Sequence, residues 1–284
     1  MTIAPPPTVT PARNTASDTA TAAAPPALQC TDLAAGYDGR AVVHDFTCAL
    51  RRGEVVGVVG PNGCGKSTLL RAWAGQLRPI RGRVLLDGED LASLPRRTRA
   101  RSLALLPQHP QAPPGLTVRD LVRFGRAPHA RWLEPFGPED HAVVARALDH
   151  SGLAPLADHP LNRLSGGQRQ QAWIAMTIAQ QSHVLLLDEP TSALDIRHQL
   201  DVMHLLRHLA PARGLAVAVV LHDLDLAVRF CDRLLVVAGG RLAGACRPTA
   251  ATDWSLLEAT FNVRATVLRD PGTGGPPRLA FERA

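Results

Sequence analysis

The sequence predicts an α/β fold in which a mostly parallel sheet is covered by helices, with an antiparallel β segment ahead of it and a helical insert inside it. Three observations lead there. In the second half of the chain, a helix from Gly166 to about Gln181, a strand Val184–Leu187, a helix Ile196–Ala210 and a strand Ala216–Leu221 alternate, which is the pattern of strands joined by crossover helices. Near the start, Glu54–Val59 (EVVGVV) is a compact apolar strand followed at Lys66 by a helix. Between Gln108 and Arg163 the character changes to proline-rich turns and helical stretches, as expected of an insert.

Residues 1–27 are rich in Ala, Pro and Thr, with too little apolar content to pack, and read as a disordered extension. From Leu28 to Arg51 short strands turn at Asp38–Gly39, a pair suited to tight turns. Gly82–Asp87 and Ser102–Leu106 are further strands, the second ended by Pro107, and Val118–Phe124 and Glu139–Ser151 are helices of the insert. Arg233–Cys246 is a hairpin about Gly239–Gly240. The expected division is therefore an extension at 1–27, a main domain at 28–250 with a helical subdomain near 109–175, and a small appendix at 251–284.

The chain has 284 residues, 45% hydrophobic and 20% charged, enough to bury a sizeable core. No apolar run approaches the roughly 18 residues of a membrane span, and the first residues lack the apolar region of a secretory signal. Five cysteines, Cys30, Cys48, Cys64, Cys231 and Cys246, are irregularly spaced without CxxC, which suits a reducing compartment. The net charge of +6 and the cluster Arg96–Arg101 admit an anionic partner, but aromatics are only 4% and no stacking platform is visible, so no nucleic acid is expected. Among the 31 basic residues Lys66 is the only lysine, and Tyr37 is the only tyrosine.

Gly60–Ser67 (GPNGCGKS) fits G-x-x-x-x-G-K-[ST] between a strand and a helix, the context of a phosphate cradle. Gly60, Gly63 and Gly65 let backbone amides face phosphate oxygens, with Pro61, Asn62 and Cys64 as the intervening residues. The helix N-terminus adds positive potential. Lys66 would bridge terminal phosphates, and Ser67 would ligate Mg2+ with Thr68 beside it. Val184–Glu189 (VLLLDE) ends a buried strand in two carboxylates, which suits Asp188 for a Mg2+ contact and Glu189 for a general base on water. In isolation the same residues could begin a turn before Pro190. Leu164–Gln168 (LSGGQ) opens a helix with a serine and two glycines, a second anion site separate from the first.

With these motifs in this order, residues 28–250 resemble the ATP-binding subunits of ABC transporters. The resemblance implies a P-loop ATPase core that binds ATP and Mg2+. It also implies a head-to-tail homodimer in which Ser165, Gly166, Gly167 and Gln168 of one copy cap the ATP held by the other. Tyr37 resembles the residue that stacks on adenine, although locally it is equally a β-surface residue. Gln108 resembles the glutamine that reaches Mg2+ and the attacking water. Ser192–Asp195 resembles the loop that crosses the dimer, and His222 the histidine that contacts the γ-phosphate. A histidine at a strand end is by itself more often structural; its place in the series decides the role here. His204 and His208 share a helix face with Arg197 and Asp201 and read as its polar side rather than as a metal site.

One nucleotide domain without a span implies a separate membrane permease, with the chain at the cytoplasmic face of the cell membrane and a substrate-binding lipoprotein as an indirect partner. Leu116–His129, Gly152–Leu164 and Thr191–Gln199 are similar to segments of ATPases serving iron-siderophore, haem and cobalamin importers. Iron-siderophore import is the expected function. A soluble ABC ATPase acting on nucleic acid or in cofactor assembly is the alternative of another class, and the lack of sustained heptads between the phosphate loop and the signature speaks against the first of these.

Overall fold

The computed structural model describes residues 25–130, 136–192, 194–249, 251–268 and 277–283. Most of the expected extension therefore lies outside the described residues. Ala27, at its end, is fully buried, with its N–H on the Leu50 carbonyl at 2.9 Å.

Two strands open the fold, β1 (Leu28–Tyr37) and β2 (Arg40–Leu50), followed by β3 (Val55–Val59), α1 (Lys66–Trp73), β4 (Arg81–Leu86) and β5 (Glu89–Asp90). Strands β2, β1, β4 and β5 form an antiparallel sheet in that order. Its first two strands are longer than the short strands expected, because irregular pairing breaks their alternation. The β1–β2 register shifts between Cys30 and Leu33, and Asp32 and Asp45 stand at φ 48°, so the side-chain period is interrupted where the backbone bulges.

Next come α2 (Arg96–Ser102), β6 (Leu103–Leu106), α3 (Val118–Phe124), α4 (Pro138–His150), α5 (Gly166–Ala179), β7 (Val184–Leu187), α6 (Ile196–Arg213), β8 (Ala216–Val220), α7 (Leu224–Phe230), β9 (Arg233–Ala238) and β10 (Arg241–Cys246). The main sheet runs β10-β9-β3-β8-β7-β6. From β9 to β6 each pairing is parallel, and β10 adds an antiparallel edge. The appendix is α8 (Ser255–Phe261) and the antiparallel pair β11 (Val263–Leu268) and β12 (Arg278–Arg283).

The main sheet is buried on both faces, and residues alternate between two cores along each strand. Val55 and Val59 of β3, with Leu185 and Leu187 of β7, join the core beneath α5, α6 and α7. Val56 and Val58, with Val184 and Leu186, join the other core, built on α1 and the antiparallel sheet. The antiparallel sheet expected ahead of the main sheet covers much of one side, and α1 sits between the two layers with its Trp73 ring edge-on to Phe46 at 6.1 Å.

Two helices and one boundary differ from expectation for identifiable reasons. Helix α2 has no buried residue and so no apolar period to read. It is held from outside, since Arg97 Nε and Arg101 Nε both donate to the Pro128 carbonyl, at 3.0 and 2.9 Å. Helix α7, unforeseen, is opened by the Asp223 carboxylate accepting from the N–H groups of Asp225 and Leu226 at 2.8 and 3.1 Å. Helix α6 continues through Pro211 to Arg213 and stops at Gly214, whose left-handed φ of 62° turns the chain out of the helix.

In the insert, α3, α4 and α5 pack together around the buried Arg126, 4% exposed. Arg126 Nε donates to Asp140 Oδ1 at 2.8 Å, and its Nη1 to the Ala179 carbonyl and Gln181 Oε1 at 3.0 and 2.7 Å. One guanidinium therefore ties the ends of all three helices.

Candidate active site

Four neighbouring strands of the main sheet deliver their carboxyl ends to one place. Strand β3 leads into Gly60–Gly65, β7 into Asp188–Glu189, β8 into His222, and β6 into Gln108. This is the ligand-binding edge of an open α/β sheet.

The loop after β3 needs its glycines for space and for conformation. A methyl group on Gly60 would sit 2.1 Å from the Val237 carbonyl oxygen and 2.8 Å from Cys64 Sγ. Gly65, at φ 103°, occupies the N-cap of α1 without any side-chain cap, which leaves the first amides of the helix for an anion. Lys66 is only 5% exposed, and its ammonium donates to the carbonyls of Gly60 and Pro61 at 2.7 and 3.0 Å, so it arches back over the loop.

Opposite the loop, Ser67 Oγ donates to Asp188 Oδ1 at 3.0 Å. Asp188 is 2% exposed; burial pushes its carboxyl above the usual range, the Ser67 hydroxyl opposes this, and the Glu189 charge adds to it. A buried carboxylate beside a hydroxyl is an oxygen donor set for a hard dication. Glu189 is gripped from both sides. Gln108 Nε2 donates to its Oε2 at 2.6 Å, and His222 Nε2 meets its Oε1. Its backbone has φ 52°, a costly conformation for a non-glycine residue, of the kind found at functional sites.

A cavity of about 450 Å3 lies between these groups, lined by Val42, Asn62, Gly63, Gly65, Lys66, Ser67, Thr68, Gln108, Glu189 and His222. The structure thus brings together the expected catalytic trio and most of the expected phosphate loop. Val42 was not foreseen; it is one apolar residue among many in β2 and matches no motif. Tyr37 is not among the lining residues. It is 41% exposed, and its hydroxyl accepts from Arg71 Nη1 at 2.9 Å, an attachment to α1 that the sequence did not suggest.

Ser165, Gly166, Gly167, Gln168 and Asp195 are absent from this lining as well. Ser165 caps α5: its Oγ accepts from the Gln168 N–H at 3.2 Å, and Gln168 Oε1 accepts from the Ser165 N–H at 3.1 Å. Asp195 caps α6, accepting from the His198 N–H at 2.9 Å. Both are N-terminal helix caps, and neither lines the cavity of the chain's own phosphate loop. His204 lies edge-on to the Phe230 ring at 4.9 Å, and no metal-binding group of three or more His, Cys, Asp or Glu occurs among the described residues.

The family model of ABC transporters matches residues 43–192, a span that runs from β2 past the phosphate loop and LSGGQ to Asp188–Glu189. The chain belongs to the ABC transporter family. Relatives extend the match over nearly its whole length. The achromobactin transport ATP-binding protein CbrD of Dickeya dadantii is 41% identical over 257 residues, 90% of this chain and 96% of its own. The iron(3+)-hydroxamate import ATP-binding protein FhuC of Bacillus subtilis is 37% identical over 255 residues, 90% and 95% respectively. Among solved structures, an inward-facing transporter described as of the metal-chelate type superposes with a TM-score of 0.76 at 29% identity, covering 90% of this chain and 96% of that one. A dimeric bacterial ABC transporter cassette superposes at 0.70 with 27% identity, covering 78% and 98%.

As an ABC import cassette, the chain binds ATP and is an ATPase coupled to transport. Cassettes of this family dimerise and work with membrane permeases. No described helix is long and apolar enough to cross a membrane.

Proposed function

We propose that this ABC cassette powers import of an iron-siderophore-type chelate through a separate permease, as a head-to-tail homodimer at the cytoplasmic face of the membrane. One observation carries the hydrolytic part: Gln108, Glu189 and His222 converge on one cavity with Lys66 and Ser67. The substrate class is supported by the relatives, which are ATP-binding proteins for achromobactin transport and iron(3+)-hydroxamate import.

In this reading the amides of Gly60–Gly65 and the N-terminus of α1 hold the ATP phosphates, with Thr68 beside them, and Lys66 releases the Gly60 and Pro61 carbonyls to meet the terminal phosphate. Tyr37 lies against adenine. Ser67, Asp188 and the amide oxygen of Gln108 would hold Mg2+, which supplies charge neutralisation on the phosphates. Their oxygen chemistry and the burial of Asp188 fit such an ion. Glu189 takes a proton from water as the water oxygen attacks the γ-phosphorus and the bond to the ADP oxygen breaks. His222 orients that water through its contact with Glu189. Ser165, Gly166, Gly167, Gln168 and Asp195 of the partner subunit close over the nucleotide.

Closure would move a groove of about 490 Å3 beside Gln108, lined by His109–Leu116, Arg169 and Trp173 among others, and this groove is the proposed seat of the permease. A lipoprotein that binds the chelate would deliver it to that permease from outside. The test is uptake of iron-55 chelates by a strain deleted for this chain, complemented with the wild type or with Lys66→Ala. Restoration of ferric siderophore uptake by the wild type alone supports the proposal, whereas normal uptake in the deletion strain, or rescue of haem or cobalamin uptake only, contradicts the substrate assignment.

A further inference from the structure

His198 joins the two elements that the dimer needs on its far side. Its ring Nδ1 lies 2.8 Å from Asp195 Oδ1, the same oxygen that accepts from the His198 N–H. The ring also lies beside the signature helix: a methyl group on Gly167 would sit 3.4 Å from both Cγ and Nδ1 of His198, and 3.6 Å from Leu194 Cδ2. The ring borders an open cavity of about 740 Å3, shared with Gln168, Gln171, Arg197 and Asp201. On that side nothing packs closely, so the bond to Asp195 holds the ring's rotamer beside the backbone of Gly167. The His198 N–H and ring also hold the Asp195 carboxyl below the usual range.

We infer that His198 is a positioning residue that locks Asp195 and the Ser165–Gln168 signature into one body, so that both arrive together at the nucleotide held by the other copy. The inference rests on the head-to-tail reading above. Its consequence is specific: loss of His198 impairs the ATP site of the partner rather than the site on the same chain. Misplacement of about 1 Å at a catalytic constellation costs on the order of 10- to 100-fold in rate.

The test uses full-length chains co-expressed with two affinity tags and purified through both, so that every dimer is mixed. Each dimer carries Lys66→Ala in one copy, leaving one working phosphate loop, and His198→Ala in either the same copy or the opposite one. Both arrangements contain the same lesions, so any loss of folding affects them equally. Expected is ATP turnover about tenfold slower when the two lesions share a copy, with His198→Asn, which keeps a donor near the Nδ1 position, recovering most of the difference. Ser165→Arg in place of His198→Ala serves as control. Asymmetry in the control but equal rates for the two His198→Ala arrangements would overturn the role of His198; no recovery by His198→Asn would overturn the part played by the Asp195 bond. Symmetry in the control as well would overturn the head-to-tail reading instead.

Discussion

Replacing Glu189 by glutamine removes a base while leaving its surroundings in place. The Glu189 side chain is 11% exposed, with one oxygen against His222 and the other accepting from Gln108 at 2.6 Å. Glutamine has the same length and retains one carbonyl oxygen, so it can keep one of these two contacts and the same volume, but its amide takes no proton from water. A positioned general base contributes about 10²- to 10⁴-fold, which corresponds to about 2.7–5.4 kcal/mol of barrier. ATP binding draws on the phosphate loop and α1, which the substitution does not touch. Phosphate release by Glu189→Gln should therefore fall by about 10²- to 10⁴-fold, while a fluorescent ATP analogue titrates close to the parental affinity and ATP-bound dimers accumulate in size-exclusion chromatography. Turnover at the parental rate would refute the assignment of Glu189 as base, and lost nucleotide binding would show that the carboxylate serves the cavity in another way.

Three further outcomes follow from the packing. Because burial raises the Asp188 carboxyl above its usual range, its ionised form works against folding: the stability it contributes is present at low pH and is lost as pH rises through the folded-state value. Asp188→Asn should then melt above the parent at pH 7 without nucleotide, the gap narrowing toward about pH 4, while hydrolysis is lost; an equal or lower melting temperature at pH 7 contradicts this. Arg126→Leu strips Asp140, the Ala179 carbonyl and Gln181 of one shared donor and should cost about 2–4 kcal/mol in urea unfolding, discounted from a fully buried pair because Asp140 is partly exposed; under 1 kcal/mol, about what an exposed pair contributes, would show the cluster to be incidental. Gly60→Ala forces a methyl group against the Val237 carbonyl, a misfit of about 1–3 kcal/mol, and should weaken ATP binding measurably in calorimetry, whereas unchanged affinity would mean the loop can rearrange freely.

Most of the main domain was legible because its signals are local. Val118–Phe124 was read to the residue as α3, since a Thr117 cap and an apolar face coincide there. The phosphate loop, the carboxylate pair and LSGGQ announce themselves by residue type and spacing, and the parallel sheet follows from their alternation with helices. What stayed hidden depends on distant partners. Helix α2 is arginine-rich and exposed and is held through the Pro128 carbonyl, about thirty residues away. The full length of the first two strands was hidden because bulges at Asp32 and Asp45 blur the two-residue period. The left-handed backbone of Glu189 has no sequence signal, because glutamate does not favour it. The tie between Tyr37 and Arg71 and the approach of the His198 ring to Gly167 likewise bring together residues that no motif pairs. The composition itself is sharpened: the single lysine is buried over the phosphate loop, where a compact ammonium suits a crowded cradle better than a guanidinium fork.

The central claim is that each ATP is shared by two copies, and mixing two inactive variants tests it most directly. Lys66→Ala spoils the phosphate loop and Ser165→Arg spoils the signature, so neither variant alone should occlude radiolabelled ATP. In a head-to-tail dimer of one copy of each, one site receives both lesions and the other receives neither. Random pairing should then restore occluded ATP to about one quarter of the wild-type level, half the dimers being mixed with one sound site of two. No recovery on mixing, or full occlusion by the Ser165→Arg variant alone, would contradict the account.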